Sequence, residues 1–380
     1  MAIKDIVVGL YVKNYLMPRA QIIDKPGFVV FNVTGKTPIF ARQMIFPELF
    51  FILLEKKLIE GLGNEGKRIL YSVGKKFGIR FSLMGNFSKR GEIPDKKIPD
   101  YINMINKFIE GTYASDISCE PDVNNSKVIY HLKNFVVCSK DGYGFFLPLG
   151  AGCGLIAYLL NDETIEGVHL ECQGDGKEKC KLLYEPINKL KLDIKDKPIF
   201  KETDLKGLEF TPDYGSMNAI KETESSKYSF QQFIDSNIFS FNAGIIMNGD
   251  QRYFIYEVSG IYMLERELQK SNVTKKILGE IAYETGKRML LNYKGELSLE
   301  SLIDLLTAFG WGDVLILEKA SKYVVNIKYF PWTEFSDEVE FITFQRMIAG
   351  MLSIISKREV KFKRIEKDSS QGYLSLVFAE

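Results

Sequence analysis

Ile69-Leu-Tyr-Ser-Val-Gly-Lys-Lys76 in the first half of the chain returns as Ile281-Ala-Tyr-Glu-Thr-Gly-Lys-Arg288 in the second, with Gly74 matching Gly286. In the first copy, Ile69, Leu70, Val73 and Phe77 fall on one stripe of 3.6-residue period with lysines on the other side. That pattern predicts an amphipathic helix. The repeat continues outward in both directions. Phe46-Pro-Glu-Leu-Phe-Phe-Ile-Leu-Leu54 precedes the first octapeptide, and Val258-Ser-Gly-Ile-Tyr-Met-Leu264 the second. Downstream, Tyr101-Ile-Asn-Met-Ile-Asn-Lys-Phe-Ile109 matches Leu302-Ile-Asp-Leu-Leu-Thr-Ala-Phe309 in pattern. Ser126-Lys-Val-Ile-Tyr-His-Leu132 then matches Tyr323-Val-Val-Asn-Ile-Lys328, and Cys153-Gly-Leu-Ile156 matches Ala349-Gly-Met-Leu352. Internal similarity of this extent is one structural unit used twice.

Each copy reads as the same series of elements. A helix near 46–60 or 256–270 is followed by a longer one at 64–82 or 273–291, then a third at about 98–110 or 298–308. Two β-rich segments, a helix near 144–160 or 339–356, and two closing strands complete the unit. Consecutive strands joined by short loops pair antiparallel, so the expected class is α+β. The expected division is 1–187 for the first domain, 188–235 for a linker or loop-rich extension, and 236–380 for the second domain. Pro198, Pro212 and Gly215 mark the linker. Two copies in one chain predict a pseudo-two-fold pair, packed as two subunits of a homodimer would be, with a homodimer of the whole chain as a further expectation.

Bulk composition excludes several classes. The 380 residues carry 50 basic and 49 acidic side chains for a net charge of +1, which gives no field for nucleic acid. No stretch reaches the roughly 18 consecutive apolar residues of a membrane span. Met1-Ala-Ile-Lys4 lacks the apolar run of a signal peptide. Five unevenly spaced cysteines do not form a disulfide framework, and a reducing, cytoplasmic setting is expected.

All five cysteines and both histidines fall between Cys119 and Cys180. The tightest group is His169-Leu-Glu-Cys172, followed by Cys180 across a loop with two glycines. A hairpin there brings the two sulfurs close, and thiolates with imidazole suit a borderline metal. His169 lies three residues before Cys172, so a regular strand would place it on the opposite face and only a bulge would bring it round. Cys153, on a glycine-rich helix start, is the candidate for a third or fourth ligand, with Glu171 a further one. The expected metal ligands are thus Cys172, Cys180, His169 and Cys153. Zinc is the expected ion, iron the alternative, and a redox-active or bystander thiol pair the competing readings. Cys119 and Cys138 read as buried thiols and His131 as a strand residue on a wet face.

Tyr113, Tyr143, Phe145, Phe146 and Tyr158 surround or approach Gly150-Ala-Gly-Cys-Gly154. They are candidates to line a site for a flat apolar ligand, with ordinary core aromatics as the alternative. Gly61-Leu-Gly-Asn-Glu-Gly66 fits the dinucleotide fingerprint, but a helical segment precedes it where the fingerprint needs a strand. No nucleophile elbow, phosphate loop or HExxH pair occurs, so binding is expected rather than catalysis.

Three of these features together resemble the 4-vinyl reductase-like domain family, which is related in fold to the NO-signalling and Golgi-transport ligand-binding superfamily. They are Gly66-Lys-Arg-Ile-Leu-Tyr-Ser-Val-Gly74, Phe309-Gly-Trp-Gly-Asp313 entering a strand, and the closing hairpin with Cys172 and Cys180. The resemblance spans roughly 40–187 and 250–380. It implies an α+β fold and, from the family's sensory members, a zinc site of Glu-x-x-Cys-x7-Cys plus an earlier cysteine. Cys172 and Cys180 match. His169 stands at the glutamate position, and Cys153 is the nearest substitute for the earlier cysteine, whose expected place is near Phe145 or Phe146. The second copy has Lys361, Arg364 and Tyr373 as approximate counterparts and is degenerate at this site. The resemblance therefore implies a small-molecule-binding, sensory protein for a hydrophobic or aromatic ligand, with a structural zinc site in its first domain, acting through a protein partner. The alternative is an enzyme or carrier for a tetrapyrrole or other aromatic compound.

Overall fold

Both copies show the expected order of helices and strands, with three further strands ahead of each. The computed structural model describes residues 22–32, 40–85, 87–110, 113–138, 145–191, 197–200, 222–225, 227–242, 245–320, 322–334, 339–368 and 372–380. Tyr143 and most of the expected linker lie outside them. The first copy runs β1 (Ile22–Lys25), β2 (Phe28–Asn32), β3 (Phe40–Pro47), α1 (Glu48–Leu62), α2 (Asn64–Met84), α3 (Ile98–Glu110), β4 (Asp116–Asp122), β5 (Lys127–Lys133), α4 (Phe146–Leu159), β6 (Ile165–Glu171) and β7 (Cys180–Pro186). A short helix α5 (Phe230–Asp235) intervenes. The second copy then runs β8 (Ser240–Asn242), β9 (Ile245–Asn248), β10 (Gln251–Glu257), α6 (Val258–Leu268), α7 (Asn272–Leu291), α8 (Leu299–Ala308), β11 (Asp313–Lys319), β12 (Lys322–Lys328), α9 (Ile342–Ser356), β13 (Lys361–Asp368) and β14 (Tyr373–Ala379).

The closing sheets have one topology, β4-β5-β7-β6 in the first copy and β11-β12-β14-β13 in the second, antiparallel throughout. The class is α+β, as expected. Among the described residues, those from 51 to 200 form one compact unit, and those from 22 to 50 and from 222 to 380 the other. Strands β1 to β3 thus group with the second unit, unlike the division at 187 drawn from sequence. They form a six-stranded sheet there, ordered β1-β2-β3-β10-β9-β8, with Phe46 opposite Phe254 and Ile45 opposite Ile255. The central strands β3 and β10 escape sequence reading because both of their faces are buried. Met44-Ile-Phe46 and Tyr253-Phe-Ile255 are continuous apolar runs without period-2 alternation. No helix among the described residues is long and apolar enough to cross a membrane.

The matched glycines are explained by helix packing. A Cβ on Gly74 would lie 2.1 Å from the Leu147 carbonyl oxygen, and one on Gly78 2.1 Å from that of Ala151. From the other side, Gly150 and Gly154 of α4 would strike the carbonyls of Tyr71 and Lys75 at 2.1 and 2.0 Å. Helices α2 and α4 therefore touch backbone to backbone, and any side chain there forces them apart. In the second copy Gly286 and Gly350 do the same against Met347 and Tyr283. Gly310 and Gly312 take φ of 81° and 107° to turn the chain into β11, seating Trp311 fully buried 4.6 Å from the Phe344 ring.

A second device is shared. Glu55 of α1 accepts the Phe146 amide, and Glu265 of α6 accepts those of Ile342 and Thr343 at 2.7 and 2.9 Å. Each fully buried carboxylate satisfies the free N–H groups that open α4 or α9. The residue before each helix, Phe145 or Phe341, is left-handed at φ 42° or 60°. Burial pushes Glu55 up to about 8 and Glu265 to about 7. The folded state then holds these protons more tightly than the unfolded chain. The associated stability is present below the ordinary carboxylate range and is lost as pH rises through 7 to 8. Glu265→Gln removes one such group, so its melting temperature should gain on wild type between pH 5 and pH 8. Thermal melts showing a pH-independent gap would contradict this.

Candidate metal centre

The β6–β7 hairpin carries two of the expected ligands, and its geometry follows from its loop. Residues Gln173–Asp175 form a 3-10 turn closed by Gly176 at φ 79°. The Cys172 carbonyl accepts from the Asp175 and Lys177 amides at 3.1 and 3.2 Å. Cys180 opens β7 opposite Leu132 of β5, and the Gln173 amide donates to its Sγ at 3.3 Å. The loop is tied in turn to the chain after β5, because the Asn134 amide donates to Gln173 Oε1 at 2.7 Å. That chain segment turns sharply, with Asn134 and Val137 at φ 50° and 66°. The turn ends in Cys138. The Sγ atoms of Cys138, Cys172 and Cys180 consequently all lie within 4.8 Å of one another, and all three residues are buried.

Three thiols in such a group share protons unequally. Hydrogen bonds from Cys138 and then Cys180 pull the Cys172 thiol well below its ordinary range. The bonds to Cys172 and Cys180, with burial, push Cys138 well above it. Buried together and hydrogen-bonded to one another, the three sulfurs make a soft donor set of the kind a borderline cation takes.

His169 approaches the same face. The register of β6 against β7 shifts between His169, opposite Leu182, and Glu171, opposite Lys181. Leu170 is thus the extra residue of a bulge, and His169 and Cys172 come to lie on one side of the sheet despite their three-residue spacing. The His169 Nδ1 is buried and has no hydrogen-bond partner among the described residues. Burial lowers the imidazole pKa, partly offset by Cys172 and Asp175 nearby. The ring lies outside the 4.8 Å group of the three sulfurs, on the same side of the sheet and near enough to Cys172 to feel its charge, and its unpaired nitrogen is of the type that ligates a metal.

Cys153 is elsewhere, and here the structure departs from the sequence expectation. Its Sγ donates to the Ile165 carbonyl at 3.2 Å and lies 3.6 Å from the Glu166 carboxylate. Burial pushes it up to about 12. The reason is its place on α4: the glycine face around it is pressed against α2, so the thiol is directed to the start of β6 and not to the hairpin end. Cys138, expected to be a bystander, supplies the third sulfur instead. Glu171 is exposed. Cys119 bonds to Asn106 at 3.1 Å and His131 to Glu120 at 2.8 Å, both away from the trio.

The aromatic candidates on α4 are spread along it. Phe145 and Phe146 open α4, whereas Tyr158 is near its other end, about 18 Å along the axis at 1.5 Å per residue. Phe146 lies under Lys67, at 5.2 Å. Tyr158 donates to the Phe87 carbonyl at 3.0 Å. Tyr113 is half-buried, its carbonyl accepting from the Val136 amide at 2.8 Å.

No family model matches this sequence. No curated protein matches it either. Among solved structures it is similar to the crystal structure of the phenol-responsive sensory domain of the transcription activator PoxR with phenol. That match has 15% identity and a TM-score of 0.32, and covers 42% of this chain and 85% of that one. A superposition that loose transfers no residue's role.

Proposed function

We propose that the first unit binds one zinc ion through Cys138, Cys172 and Cys180, with His169 as fourth ligand. The supporting observation is the buried trio itself: three sulfurs from two separate segments within 4.8 Å of one another. Tetrahedral zinc with bonds of about 2.3 Å needs sulfurs about 3.8 Å apart, so the trio needs only a small contraction, while the His169 ring, outside the trio's 4.8 Å group, has to move in to ligate. Four protein ligands leave no open position, which makes the ion a structural staple between the hairpin and the turn after β5. The second copy has no such set. The register that places Cys180 opposite Leu132 places Leu374, a core residue, opposite Ile327.

Around that ion, the sequence motifs support a small-molecule-binding, sensory protein acting through a partner; the carrier or enzyme reading is second. Metal analysis of the purified full chain tests the central claim. About one zinc per chain is expected, with a featureless visible spectrum and loss of the metal in Cys172→Ser. A visible iron-thiolate band, or a chain that retains no metal, would overturn it.

A further inference from the structure

Strand β6 is bolted at its first residues to the helix pair and reaches the metal centre at its last. Lys75 Nζ donates to the Ile165 carbonyl at 3.0 Å and to Glu166 Oε1 at 2.8 Å. Tyr71 donates its hydroxyl to Glu166 Oε2 at 2.6 Å and accepts from the Gly167 amide at 2.8 Å. Cys153 adds the bond to Ile165 already described. Residues 165 to 167 are thus fixed to α2 and α4 by buried side chains. After Val168 the same strand enters the bulge that sets His169 and Cys172. At the glycine crossing, α2 and α4 have no slack between them, because backbone meets backbone. A change in the hairpin therefore has two places to go, the bulge or the helix pair.

The second copy serves as an internal control. The sheet registers put Tyr184 opposite Val128 and Gly167, and Phe378 opposite Tyr323 and Phe362, so Lys361 stands where the first copy has Glu166. Ala349 replaces Cys153. The Tyr283 hydroxyl turns to Ser353 at 3.0 Å, and Lys287 is half-exposed. The same fold therefore forms without the buried ion pair. Burying such a pair carries a desolvation penalty that apolar residues would avoid. The ion pair and the sulfur trio occur in the same copy, joined through β6, which carries Glu166 and ends one residue before Cys172, and both are missing from the other.

We propose that metal occupancy of the hairpin is transmitted along β6, through Glu166 and its bonds to Tyr71 and Lys75, to the α2–α4 helix pair. This rests on the metal reading above. With the ion bound, the bulge is held and the clamped strand stiffens both helices. Without it, the hairpin relaxes and the helices feel the change through Glu166. Glu166, Lys75 and Tyr71 are positioning residues in this scheme and do not touch the ion.

Hydrogen exchange of the full chain, zinc-loaded and after chelation, tests this. In wild type, removing zinc should speed exchange in the hairpin peptides over 165–180 and, by about tenfold, in peptides over 69–78 and 150–157. In Lys75→Met/Glu166→Leu the hairpin should still respond and the helices should not. Tyr71→Phe, a smaller change that removes only the hydroxyl, should give a weaker helix response than wild type and guards against misfolding of the double variant. Wild-type helices that ignore zinc while the hairpin responds would overturn the transmission alone. So would Tyr71→Phe helices that respond as fully as wild type. A hairpin that never responds, in a chain that holds no metal, would overturn the metal reading as well.

Discussion

Cys138→Ser is expected to empty the metal centre, while Cys153→Ser leaves it filled. Cys138 is one of three sulfurs within 4.8 Å of each other, and its removal leaves two sulfurs and a histidine. Losing a group that merely orients a ligand weakens a metal site by about 10–100-fold. Losing a thiolate ligand should exceed that, so the ion should be stripped on simple desalting. Structural zinc is coupled to folding, with apparent binding energies of about 10–16 kcal/mol in isolated zinc-finger peptides. Even a small fraction of that should appear as a lower melting temperature that chelator no longer changes. Cys153 makes its bonds to Ile165 and Glu166. A serine hydroxyl can reproduce the donation to the carbonyl, so metal content should stay near that of wild type. Metal content by elemental analysis, paired with melts in chelator, separates the two. If Cys153→Ser lost the ion and Cys138→Ser kept it, the trio would not be the site.

The sequence carried the fold further than the site, for reasons visible in particular residues. Helices such as α3 and α8 were legible from an apolar stripe, α4 and α9 as long apolar runs buried nearly all round, and the duplication because Gly74 and Gly286 are demanded by a backbone contact that tolerates no side chain. Strands β3 and β10 were not legible, since burial on both faces erases alternation. Cys172 and Cys180 announced themselves through hairpin spacing. Cys138 could not, because its approach depends on a left-handed turn at Val137 and on the Asn134–Gln173 bond, neither of which local pattern encodes. The only available signal was the confinement of every cysteine to one copy. Lys75 misleads in the opposite sense: it lies on the lysine-bearing side of α2 that reads as solvated, yet it is buried against Glu166. A helix packed on one side by α1 and on the other by a sheet and α4 has less free surface than its periodicity suggests.

That buried pair supports the other large effect. Glu166→Ala should destabilise the first unit by about 3–5 kcal/mol, because the Lys75 ammonium remains buried without its counter-charge. Its remaining acceptors are the carbonyls of Ile165, at 3.0 Å, and Glu163, at 3.4 Å, neither of which carries a full charge. Tyr71 loses its carboxylate acceptor in the same step. Replacing both charges, as Lys75→Met/Glu166→Leu, should instead leave stability within about 2 kcal/mol of wild type, since apolar side chains of similar volume avoid the desolvation that the pair carries. The Tyr71 hydroxyl keeps the Gly167 amide as a donor, which limits the residual cost. Denaturant unfolding of the zinc-loaded chain, following the transition of the first unit, measures both. The double variant should be more stable than the single one. If it were equally unstable, the ion pair would be a requirement of the first copy's packing, and the second copy's freedom from it would have to come from its own replacements, Ala349 and the Tyr283–Ser353 bond. If the double variant matched wild type in stability, the pair would be dispensable for folding, and its retention beside the sulfurs would point to coupling between the strand and the helices.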